Sequence, residues 1–106
     1  MNKVLIETWV KALREGKYKQ GRGRYRQDDC YCVLGVLFDT IDEGSWKYTK
    51  HSGWTPDSFI ITDLVRTTGL DQTFLFELAR RNDEGLSFNQ LADKIEEHVN
   101  QSERVE

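Results

Sequence analysis

The strongest constraint on this chain is the way its apolar residues recur at helical spacing between glycine stops. Leu5, Ile6, Trp9, Val10 and Leu13 form one stripe ahead of Gly16, and Phe88, Leu91, Ala92, Ile95 and Val99 form another near the far end. An amphipathic helix must bury its stripe against another element, so two such helices at opposite ends demand a shared core. Asn2 is a suitable N-cap for a first helix over about Lys3 to Glu15. Ser87-x-x-Gln90 is a capping box that opens the last helix. Asp71 caps the helix before it, which is expected to end near Arg81, with Asn82-Asp83-Glu84-Gly85 as the turn of a helical hairpin.

Three further elements fit between these ends. A second helix is expected from about Cys30 to Glu43, capped by Asp28 or Asp29, stopped by Gly44 and carrying Cys32, Val33, Val36, Leu37, Phe38 and Ile41 inward. Gly35 inside it costs roughly 1 kcal/mol against alanine, which points to close backbone packing there. Thr55-Pro56-Asp57 reads as N-cap, first helical residue and acidic first turn, so a third helix is expected over Pro56 to Thr68, stopped by Gly69. The run Phe59-Ile60-Ile61-Thr62 keeps a strand as the alternative. Tyr18-Lys19-Gln20 and Arg24-Tyr25-Arg26 read as short strands joined across Gly21-Arg22-Gly23, and Trp46, Tyr48 and Trp54 flank a second hairpin around Ser52-Gly53. The expected fold is α+β and mainly helical, with about five helices and one or two short β-hairpins. It forms a single domain over 1–106, with a polar tail from about Asn100 that frays.

Composition narrows the chemistry. No apolar run approaches the ~20 residues that cross a bilayer, and Glu7 comes too early for a signal peptide. Cys30 and Cys32 are too close for an unstrained disulfide, so a reducing cytoplasm is the expected setting. Two cysteines with no second pair, and His51 and His98 at no zinc-finger spacing, give no metal site, and no cofactor is expected. The same cysteines read as core residues, since residues two apart on a helix point to nearly opposite sides. No nucleophile elbow or oxyanion motif is present, so the reading leans away from an enzyme.

Charge is uneven along the chain. Lys11, Arg14, Lys17, Lys19, Arg22, Arg24 and Arg26 face only Glu15 within sixteen residues, giving that segment +6, while the rest carries −9 and the whole chain −3. A concentrated basic stretch in an acidic protein suggests a local anion site. Its candidate ligands are Arg14, Lys17, Tyr18, Gln20, Arg22, Arg24 and Tyr25, with the amides of Gly21 and Gly23 able to approach phosphate oxygens. The competing reading is a solvated loop whose arginines pair with the acidic helices. Trp46 and Trp54 are candidate aromatic contacts, or core-edge rings. Nucleic-acid binding is opposed by the overall charge and by Asp93, Glu96 and Glu97 on the last helix.

Three ordered blocks carry a resemblance. They are Trp9-x-x-x-Leu13-Arg14-x-Gly16-x-Tyr18-x-Gln20-Gly21, then Cys32-x-Leu34-Gly35-Val36-Leu37, then Leu78-Ala79-x-x-Asn82-Asp83-x-Gly85-x-Ser87-Phe88-x-x-Leu91-Ala92-Asp93-x-Ile95-Glu96. Together they resemble a group of small uncharacterised proteins from bacteriophages and prophages. Those relatives often have adjacent cysteines before the Leu-Gly-Val element, where this chain has Tyr31 before Cys32. The resemblance implies phage origin and no established activity. The expectation is an accessory protein that binds a host or phage protein and modulates it. The alternative is a phosphate-bearing small molecule or nucleotide held by the loop over 14–26, and a lower one is non-specific nucleic-acid binding.

Overall fold

The computed structural model describes residues 1–41, 46–50, 53–56 and 61–104. Among them the order is α1 (Lys3–Arg14), β1 (Lys19–Gln20), β2 (Arg26–Gln27), β3 (Cys30–Tyr31), α2 (Val33–Ile41), β4 (Trp46–Thr49), β5 (Gly53–Pro56), α3 (Ile61–Thr68), α4 (Gln72–Glu84) and α5 (Phe88–Arg104). The fold is α+β and mainly helical, with five helices and two short hairpins among the described residues.

α2 is the centre. All six residues from Val33 to Phe38 are buried, as suits a helix that is apolar all round. α1 packs on it and on α5 through Ile6, Trp9, Val10 and Leu13, and the Trp9 indole N–H donates to the Val33 carbonyl at 3.0 Å. Leu75 and Leu78 of α4, with Leu91, Ala92 and Ile95 of α5, complete the core. The Asn2 side chain caps α1 through the Leu5 amide. The Ser87–Gln90 box closes reciprocally, at 2.9 and 3.2 Å.

Five sequence expectations need correction. Cys30 and Tyr31 are not helical; they form β3, and α2 begins at Val33. Neither Asp28 nor Asp29 caps α2. Cys32 does, because the Gly35 amide donates to its sulfur at 3.4 Å and the Val36 amide to its carbonyl. The two aspartates instead form the two-residue loop between antiparallel β2 and β3, with Asp28 at φ 56°, a conformation that short polar side chains tolerate best. The expected hairpin across Gly21-Arg22-Gly23 is replaced by another pairing. β1 runs parallel to β3, and the sheet order is β1-β3-β2-β5-β4.

Pro56 does not start a helix. It ends β5, in register with Trp46 of β4, a strand-end position that spares the missing proline N–H. α3 contains Ile61 and Thr62, so the strand alternative fails there, while 57–60 lie outside the described residues, as do Glu43, Gly44 and Ser52. Finally, α4 continues through Asn82-Asp83-Glu84 and stops at Gly85, φ 115°. Leu86 N–H donates to Arg81 and Gly85 N–H to Asn82, the pairing of a Schellman end.

Candidate functional site

The basic stretch spreads over three concavities, so its candidate ligands do not converge. Arg14 belongs to α1 and reaches α5, where its guanidinium donates to Asp93 at 2.7 Å and Glu96 at 3.0 Å. This pairing with an acidic helix is the competing reading made concrete for that residue. Arg14 lines an open groove of about 670 Å³ between α1 and α5, floored by Ile6, Val10 and Val99.

Lys17 and Tyr18 line a second, polar cleft of about 630 Å³ with Thr8, Lys11 and Glu15. There the Tyr18 hydroxyl donates to Asp39 at 2.6 Å, and the Trp46 indole donates to the other oxygen of that carboxylate at 2.8 Å. Tyr18, Tyr31, Trp46 and Phe38 form a chain of edge-to-face rings. The Arg26 guanidinium lies 5.1 Å from the Tyr31 ring centre and 5.5 Å from that of Trp46. Trp46 is therefore a half-buried ring at the core edge. Trp54 enters through its backbone, paired with Arg26 and Tyr48.

The third concavity lies where the glycine loop meets α4. Asn82, fully buried, is the hub. Its amide nitrogen donates to Gly21 O at 2.8 Å. Its oxygen accepts from the Gln20 side chain at 3.0 Å and from the Val33 amide at 3.2 Å. Gln20 also donates to Leu86 O at 2.6 Å, so both of its donor contacts are internal. The Gly23 amide, expected to approach an anion, donates to the Asp83 carboxylate at 2.9 Å.

These bonds hold the loop against a pocket of about 180 Å³ between Tyr25, Leu34, Phe76 and Ala79, with Arg24 on its rim. Leu34 and Cys32 at its floor are buried, whereas Phe76 keeps 47% of its surface exposed. Among the described residues, Arg22 and Arg24 have no hydrogen-bond or ion-pair partner, whereas Arg80 and Arg81 on α4 are paired with Glu77 and Glu84. Asn82, Asp83 and Phe76 were not singled out as site residues in the sequence. The Asn82-Asp83 pair was visible as a turn and as part of the third ordered block, and no sequence signal marked Phe76.

The two cysteines differ sharply. Burial pushes the Cys32 thiol up to about 11, only partly offset by the hydrogen bond from the Gly35 amide, while Cys30 is half-buried. Iodoacetamide at pH 8 is therefore expected to label Cys30 and leave Cys32 unmodified in the folded protein, as read by peptide mass mapping, because the thiolate is the reactive form. Comparable labelling of Cys32 would refute its place beneath α2. The raised value also links to stability. Between about pH 9 and 11 the unfolded chain loses the Cys32 proton while the folded chain keeps it. That contribution is thus complete below pH 9 and falls as pH rises, by up to about 3 kcal/mol. Burial raises Tyr25 in the same direction, so Cys32→Ala should remove only part of the alkaline loss measured by urea melts.

Among the described residues no group of three His, Cys, Asp or Glu side chains comes together as a metal site, and no helix is long and apolar enough to cross a membrane. No curated protein and no solved structure matches the chain. A family model does match residues 1–64, more than half of the sequence and all of α1, the basic loop, β1 to β5 and α2; the chain belongs to the family described as a domain of unknown function, DUF8296.

Proposed function

We propose that this protein acts by binding a host or phage protein in the cytoplasm and modulating it, without chemistry of its own. The observation that carries this reading is Phe76, a large ring left half exposed beside a preformed apolar pocket on α4. An aromatic anchor next to a small pocket is the usual centre of a protein interface. The phage-type motifs in the sequence support a small accessory protein whose partner is another macromolecule.

The nucleotide alternative has less support. Arg14, Gln20 and the Gly23 amide are held by internal partners, and the pocket beside the loop is smaller than the roughly 300–1,000 Å³ of most small-molecule sites. Non-specific nucleic-acid binding is supported least, since Glu77, Asp83 and Glu84 line the same helix.

The test is affinity capture from cell extract with the wild-type protein and Phe76→Ser side by side. Withdrawing the remaining exposed half of a phenyl ring from water is worth about 1 kcal/mol, so the variant should retain several-fold less of the captured partner. Its stability should fall by only about 1–2 kcal/mol, from the ring's already buried half and the lower helix propensity of serine, leaving the protein folded for the comparison. Equal capture by both proteins, or capture by neither, sinks this reading.

A further inference from the structure

We infer that the segment docking at the α4 pocket presents one apolar side chain with a carboxylate within a residue or two of it, the apolar group entering between Tyr25, Leu34, Phe76 and Ala79 and the carboxylate meeting Arg24 and Arg22. This deepens the proposed function and rests on it.

Size selects the first half of the ligand. An apolar cavity of about 150 Å³ holds one benzene ring, so the 180 Å³ here takes a single aromatic or branched aliphatic side chain. The floor cannot deepen further, because Leu34 and Cys32 are core residues exposed by 2% and 6%. The wall is preformed as well. Asn82 anchors Gly21 O and Asp83 anchors the Gly23 amide on either side of Arg22, so little loop ordering is needed on binding.

Charge selects the second half. The chain is acidic overall, and the α4 arginines, Arg80 and Arg81, are neutralised by Glu77 and Glu84. Arg22 and Arg24 are exposed and carry no such partner among the described residues. Asp83 shares the rim, but its carboxylate is engaged by the Gly23 amide. Arg24 lines the rim and Arg22 stands two residues before it on the same loop, two cations against the one rim carboxylate of Asp83, which suits a single acidic group. A polyphosphate chain would have to pass the Asp83 carboxylate on the same rim of a chain that is acidic overall, and would be repelled there. The favoured occupant is accordingly an acidic peptide segment, not a nucleic acid.

The experiment is an amide-resolved NMR titration of the full chain with four short peptides. One carries Glu-Phe-Glu at its centre, one replaces Phe with Ala, one replaces both Glu with Gln, and one replaces both with Lys. A single-stranded oligonucleotide is the fifth probe. Glu-Phe-Glu should shift the amides of Gly23, Phe76 and Ala79 with a Kd below about 1 mM. The Ala peptide should bind about tenfold more weakly, and the Gln peptide about fivefold more weakly, in keeping with two rim-exposed charge pairs. In the double variant Arg22→Glu/Arg24→Glu the preference should invert toward the Lys peptide. Both positions are exposed, so the variant folds.

Three outcomes overturn the inference: no peptide shifts at millimolar concentration, equal binding of the Glu, Gln and Lys peptides, or tighter binding of the oligonucleotide to the same amides. If charge proves irrelevant while Phe76→Ser still loses the captured partner, the docking site stands and the acidic assignment falls. If Phe76→Ser loses nothing, both fall.

Discussion

Gly35→Ala is expected to abolish cooperative folding or to lower stability by at least about 3 kcal/mol, the range of severe overpacking. A Cβ at this position would overlap the Tyr25 carbonyl oxygen and lie 2.8 Å from its carbon. Both neighbours are backbone, so no rotamer change relieves the clash. The Tyr25 carbonyl also accepts the Cys32 amide at 3.1 Å, which ties the residue before β2 to the start of α2. Moving either chain would break that bond and open the centre of the core. Alanine normally favours a helix over glycine by about 1 kcal/mol, so the predicted sign is opposite to propensity. For a domain of this size the loss corresponds to a fall in Tm of at least about 12 °C. A melting temperature equal to or above wild type would show that the close approach of loop and helix is wrong.

Asn82→Ala should cost about 3 kcal/mol, with little effect on the apolar core. Asn82 is 0% exposed, and its removal strands the Val33 amide at the N-terminus of α2 and the Gly21 carbonyl, while the Gln20 amide group loses one of its two acceptors and keeps the Leu86 carbonyl. Each buried polar group left unpaired costs about 1–3 kcal/mol, and the Gly21 carbonyl, which is only half-buried, is rescued in part by water. Asn82→Asp separates the contributions. It keeps the oxygen that serves Val33 and Gln20 but loses the donor to Gly21 and places an unpaired charge inside. Burial raises the carboxyl above its unfolded value, so this variant should be less stable at neutral pH and recover as pH falls. Urea midpoints at pH 7 and 5 read both effects. A wild-type midpoint for Asn82→Ala would remove Asn82 as the link between α4, α2 and the loop.

The two substitutions bear on function as well as stability, because both residues hold the Gly21–Tyr25 loop in place. Tyr25 is pinned from below by Gly35, and Gly21 from the side by Asn82. The pocket beside Phe76 exists as a shaped cavity only while both restraints are present.

Local rules reached far into this chain. Helical spacing of apolar residues marked α1, α5 and the buried run of α2. Capping chemistry marked the Asn2 cap and the Ser87–Gln90 box, and the odd glycine in α2 pointed to its backbone contact. These features depend on residues within about one helical turn of each other, or on the demand that an apolar stripe be covered. Errors gathered where a local signal competed with a distant partner. Asp28 and Asp29 look like caps, yet the cap is Cys32, a weak acceptor that serves because the sheet delivers it to that point. Thr55-Pro56 looks like a helix start, yet pairing with β4 claims it.

What the sequence by itself determined is the set of amphipathic faces, their stops and the uneven charge. What only the tertiary structure decided is which polar groups remain available. The basic stretch is continuous in sequence, but α5 takes Arg14, α4 takes Gln20 and the Gly23 amide, and Asp29 takes Lys19 at 3.0 Å. Arg22 and Arg24 are left unpaired among the described residues, and Arg24 lines a pocket with an exposed ring contributed by a helix about fifty residues away. Hydrogen bonds and ion pairs form between groups that folding brings within about 3 Å, and for these residues sequence neighbours were not the partners.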